Sequence, residues 1–85
     1  MDQFNRLVSE QMKTMEKLLY IQAELDRCQE IEEELRKLQN ATDLESIQDD
    51  IQQMKKELRE IQLIFERQTE EVINSYRDVN LSASL

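Results

Sequence analysis

Glycine and proline are both absent from these 85 residues, as are histidine and tryptophan. Without glycine the chain has no ready residue for left-handed or tightly turned backbone, and without proline it has no dedicated helix breaker. A β fold depends on many such turns, so the chain reads as all-α with few connections. Aromatic side chains are limited to Phe4, Tyr20, Phe65 and Tyr76. A thin, elongated seam is therefore the expectation, not a wide globular core. Metal catalysis, nucleophilic catalysis and phosphate cradles lack their ingredients, since there is no histidine, no second cysteine and no glycine loop. The chain reads as a non-enzyme with no cofactor, no metal and no small-molecule substrate.

Positive charge is also in short supply. Eleven basic residues face nineteen acidic ones, for a net charge of −8, and the longest basic runs are the pairs Arg36-Lys37 and Lys55-Lys56. Nucleic acid and anionic membrane surfaces both ask for clustered Lys and Arg, so neither is an expected partner. The uncharged stretch from Leu18 to Ala23 falls far short of the roughly 20 residues a bilayer span needs. No basic and apolar leader opens the sequence, which reads as lacking a secretory signal. Cys28 stands alone, cannot staple its own chain, and fits a reducing, cytoplasmic setting. In that setting the sequon Asn40-Ala41-Thr42 is coincidence.

What the chain does have is a long apolar stripe. From Leu44 to Val79, the positions Leu44, Ile47, Ile51, Met54, Leu58, Ile61, Phe65, Gln68, Val72, Ser75 and Val79 recur at alternating steps of four and three. Such steps place them on one side of an α-helix, where another helix must cover them. The first half repeats the pattern more loosely. Phe4, Gln11, Leu18, Leu25, Glu32 and Gln39 form one row, and Leu7, Thr14, Ile21, Cys28, Leu35 and Thr42 form the other. Val8, Met15, Ile31 and Leu38 flank and widen it.

The two stripes do not run into each other. Continuing the first row past Gln39 leads to Ser46, whereas the second half begins at Leu44. A slip of two is neither of the insertions that a single supercoil absorbs. Thr42-Asp43-Leu44-Glu45 has the form of a capping box, and Asn40 can take the left-handed conformation that ends a helix. The spacing thus predicts an antiparallel two-helix coiled-coil hairpin over residues 1–79. Helix 1 spans about 3–39, the loop about 40–42 and helix 2 about 43–79, followed by a frayed tail at 80–85.

Folding the halves together suggests a register. It sets Leu35 by Leu44, Cys28 by Ile51, Leu25 by Met54, Ile21 by Leu58, Leu18 by Ile61 and Leu7 by Val72. Gln11 then meets Gln68, while Ile47 and Phe65 complete the seam opposite the mismatched Glu32 and Thr14. Leu19, Tyr20, Leu63 and Ile64 remain outside. Burying one large apolar side chain is worth roughly 1.5–3 kcal/mol, so these four form an expected contact surface. Its occupant would be a second copy, giving a four-helix bundle, or a helix of another protein. The acidic run Glu30, Glu32, Glu33 and Glu34 reads as a solvated face, with Glu32–Arg36 and Glu33–Lys37 at helix-stabilising spacing.

The functional expectation is a coiled-coil oligomerisation or docking module of a cytoplasmic scaffold or adaptor in trafficking, cytoskeletal or signalling assemblies. Two alternatives stand beside it. One is a parallel coiled-coil rod serving as a spacer. The other is a monomeric hairpin binding a regulatory partner such as a small GTPase or kinase.

Overall fold

The computed structural model describes the backbone of residues 2–84 and the side chains of residues 2–78. Two helices make up the described residues: α1, Asp2–Lys37, and α2, Ala41–Ser84. They lie side by side as an extended hairpin measuring 68 × 14 × 14 Å. At about 1.5 Å per residue, α2 alone accounts for nearly all of that length. One unbroken helix of this chain would be about 125 Å long by the same rise, so the parallel rod is not the architecture observed.

The reversal uses three residues and no glycine. Leu38 N–H still donates to Glu34 O, but Gln39 N–H reaches Arg36 O at 3.2 Å and Asn40 N–H reaches Leu35 O at 3.1 Å. This crossed pair is the Schellman closure of a helix C-terminus. It requires a left-handed residue, and that residue is Gln39, with φ of 54°. The sequence reading assigned this conformation to Asn40. Asn40 is not free to adopt it because it already starts α2. Its carbonyl accepts from Leu44 N–H at 3.0 Å, and its Oδ1 accepts from Asp43 N–H at 3.2 Å. Asn40 Nδ2 also donates to Asp43 Oδ2 at 2.8 Å. The N-cap is therefore Asn40 and not Thr42, which sits inside the first turn, and the capping box expected at Thr42–Glu45 is replaced by Asn40–Asp43. One residue ends one helix and begins the next.

These caps shift the element bounds. α1 ends at Lys37 and α2 begins at Ala41. The tail read as fraying over residues 80–85 falls where side chains, and Leu85 altogether, lie outside the described residues; α2 itself is bounded at Ser84. The acidic stretch carries its own local support. Arg36 lies 3.5 Å from Glu32, and Lys37 bridges Glu33 at 3.9 Å and Glu34 at 3.5 Å. Glu32 is half-buried and the other members of these pairs are exposed, so each pair is worth about 1 kcal/mol or less.

Packing between the helices is densest toward the loop. Leu25, Cys28 and Ile51 are the buried apolar residues, with Ile47, Met54 and Leu58 packed against them. Leu25 keeps 5% of its surface and Ile51 keeps 4%. Leu7, Leu18, Ile21, Leu35, Leu44, Ile61, Phe65 and Val72 are half-buried. Two helices cannot enclose a side chain from every direction, and no side chain among the described residues is fully sealed.

Candidate interaction surface

Toward the open end the seam changes character. Gln11 Nε2 donates across the helices to Thr69 Oγ1 at 2.6 Å. Thr69 in turn donates to Phe65 O at 2.8 Å, and the buried Thr14 donates to Glu10 O at 3.2 Å. The sequence reading matched Gln11 with Gln68. The bond goes instead to its neighbour Thr69, whose hydroxyl stands on the flank that Gln11 leans toward. Gln68 Oε1 is left sealed from solvent without a hydrogen-bond partner. An orphaned acceptor of that kind costs about 1–3 kcal/mol. This polar layer holds register at the expense of stability.

Outside the seam, the open half is apolar. Leu19, Tyr20, Leu63 and Ile64 are all exposed, Tyr20 most of all at 67%. Met12, Met15, Ile73 and Tyr76 join them in the same half, and only Ile31 and Leu38 carry comparable exposed bulk near the loop. Successive helical residues diverge by about 100°, so these side chains divide between two flanks. The contacts identify which is which. Phe4 meets Tyr76 with ring centroids 6.1 Å apart, and Gln11 meets Thr69. Those pairs mark the flank bearing Val8, Met12, Met15 and Leu19.

The opposite flank holds an open groove of about 550 Å³ lined by Lys13, Glu16, Lys17, Tyr20, Ile21, Glu57 and Ile61. Its floor is apolar, from Ile21 and Ile61, and its rim is charged with both signs. Cys28 is a buried free thiol in the seam, away from this groove. Among the described residues no cluster of histidine, cysteine or carboxylate side chains could hold a metal ion. No helix is long and apolar enough to cross a membrane. What the geometry offers is helix-sized apolar surface. The heptad count identified the seam but passed over Met12, which falls outside both rows. A search for a second stripe, offset by one residue, finds it.

Comparison with known proteins places the chain in a sequence family without adding a structural relative. No solved structure matches it. In Bacillus subtilis (strain 168), the protein described as uncharacterized protein YgaB is 56% identical over 77 residues, covering 91% of this chain and 68% of that protein. A family model described as YgaB-like protein matches residues 3–79, a span that takes in both helices, the turn and the exposed apolar flank. With residues 3–79 matched by the family model and 91% of the chain covered by this relative, this chain belongs to the YgaB-like protein family.

Proposed function

We propose that this protein is a non-enzymatic helical interaction module, a hairpin that associates through the apolar surface its own pairing leaves uncovered. The supporting observation is the imbalance between inside and outside. Three apolar residues are buried, whereas ten large apolar side chains among the described residues are exposed. A short chain with so little core and a single cysteine gains stability most readily by association. The first occupant is a second copy of the hairpin, forming a four-helix bundle in which Leu19, of the exposed set Leu19, Tyr20, Leu63 and Ile64, supplies contact area. In the cell such a bundle serves as the oligomerisation or docking segment of a cytoplasmic scaffold or adaptor.

The test is sedimentation equilibrium from about 1 to 100 μM, a range that spans moderate association constants. A species of twice 10.2 kDa is the expected result. Leu19→Asp with Leu63→Asp should keep the helicity and remove the dimer. A single 10.2 kDa species at every concentration would overturn self-association. The groove lined by Lys17, Tyr20 and Glu57 favours a second reading, in which a lone hairpin receives a helix of a regulatory partner. A monomer in that experiment would promote it.

A further inference from the structure

We propose that the flank of α1 carrying Val8, Met12, Met15 and Leu19 is the self-association face, and that it meets its own copy antiparallel with the two loops at opposite ends. This rests on the interaction-module reading above and names its surface and geometry.

Three observations carry the assignment. The first is the absence of charge. Along this flank of α1 the residues from 5 to 22 are Asn5, Val8, Met12, Met15, Leu19 and Gln22, with no ionised group among them. The opposite flank presents Arg6, Glu10, Lys13 and Lys17 over the same length. A helix face without charges, 61% exposed at Met12 and 59% at Leu19, loses no ion hydration when covered. The methionines also adapt readily to a partner's shape.

The second observation is the spacing. Val8, Met12, Met15 and Leu19 are separated by four, three and four residues, a pattern that reads the same in either direction. Under a two-fold axis perpendicular to the helix, Val8 meets the copy's Leu19 and Met12 meets the copy's Met15. All four apolar side chains find apolar partners at matched height. Closed two-fold pairs are the commonest assembly of identical chains. The neighbouring row sets Glu16 against the copy's Ser9, so no like charges are forced together.

The third is the surface ledger. The chain exposes 6684 Å², whereas a compact protein of 10.2 kDa would expose about 5,300 Å². The excess is comfortably larger than the roughly 800 Å² per partner that a standard stable interface removes. Orientation follows from charge. Residues 23–56, around the loop, hold ten acidic against five basic side chains, and antiparallel overlap of the open halves keeps those two acidic ends apart.

Two flank variants separate the outcomes by sedimentation equilibrium, with circular dichroism confirming helicity. Met12→Glu with Leu19→Glu should give a monomer, or weaken dimerisation at least 100-fold. Tyr20→Glu with Ile64→Glu should leave the dimer within about threefold, the scatter usual for surface changes outside a contact. A native dimer that the first pair leaves intact, or that both pairs disrupt alike, overturns this face while leaving the interaction module standing. A native chain that is monomeric overturns both. Crosslinking in a Cys28→Ala background tests orientation without added charge. Val8→Cys and Leu19→Cys should form disulfides when mixed and not alone, because like positions then sit about 16 Å apart, beyond a disulfide's reach. Self-crosslinking of each variant alone would overturn the antiparallel arrangement.

Discussion

The two halves of the hairpin are built the opposite way round. Near the loop the seam is dry, with Leu25, Cys28 and Ile51 buried under Ile47, Met54 and Leu58, and the exterior is strongly acidic. Toward the open end the seam contains a polar layer of Gln11, Thr14, Gln68 and Thr69, while the exterior carries eight of the ten exposed large apolar side chains among the described residues. The loop half is organised as a self-sufficient helix pair is, apolar within and charged without. The open half has polar groups inside and apolar bulk outside, the arrangement expected of an element that is completed by a partner. With the proposed self-association, stability and association fall to different ends of one rod.

The sharpest way to break this comparison is to cut the same kind of hole in both ends. Ile51→Ala removes a branched side chain from the densest packing and should cost about 2–4 kcal/mol. Met15→Ala, at an exposed site on the open half, should cost less than about 0.5 kcal/mol in dilute solution, as surface changes do. Urea unfolding followed by circular dichroism at about 1 μM, where association is suppressed by mass action, measures both. Similar losses at the two sites would mean that the halves are not energetically distinct.

A change of opposite sign should follow from drying the open half. Gln11→Leu with Gln68→Leu removes the orphaned Gln68 oxygen and extends the apolar seam, for a gain of about 1–2 kcal/mol. The same variant should slip register more easily, because matched polar layers are a well-attested means of fixing alignment in coiled coils. Broadened amide resonances for residues 4–18 and 61–75, alongside a higher melting temperature, are the expected signature. A loss of stability would show that the Gln11–Thr69 bond outweighs the unpaired acceptor.

At the loop, Gln39 holds a left-handed φ of 54°, which costs a residue with a Cβ about 1–2 kcal/mol relative to glycine. Gln39→Gly should therefore stabilise the hairpin by about 1 kcal/mol without altering its association. Thermal melting read at two protein concentrations separates the two effects. If the variant melts lower, the Schellman closure does not govern this end.

The architecture was open to reading because so little competes with it. With no glycine or proline, two apolar stripes offset by two residues leave one place for the chain to turn, and two long helices joined there are observed. The detail of the turn was not, because Asn40 and Thr42 both carry N-cap chemistry three residues ahead of an acidic side chain. The choice between them is made by where the last carbonyls of α1 find donors, which is a three-dimensional fact. The polar layer was visible as a run of mismatched seam residues, but a pattern of rows does not resolve whether Gln11 reaches Gln68 or its neighbour. Met12 was missed for a simpler reason, although Val8, Met15 and Leu19 of the same stripe were named. Heptad counting looks for one face, and an uncharged second face offset by one residue registers only when charges are mapped flank by flank.

The smallest expected effect bears on why the halves are charged differently. Glu30→Gln with Glu33→Gln removes two exposed carboxylates from the loop half and breaks only the 3.9 Å pair with Lys37. Hairpin stability should change by less than about 0.5 kcal/mol, since exposed pairs contribute little. What the variant sharpens is geometry. If the dimer overlaps through its open ends, the acidic loop ends lie tens of ångströms apart, several Debye lengths at about 0.1 M salt. Its dissociation constant should then move less than about twofold, both in this variant and between 0.1 and 0.5 M salt. If the loops instead lie side by side, neutralising four carboxylates per dimer relieves direct repulsion, and both changes tighten association severalfold. A titration by sedimentation or by fluorescence anisotropy of a labelled chain distinguishes them. An insensitive dimer is the outcome consistent with charge placed at one end so that association takes place at the other.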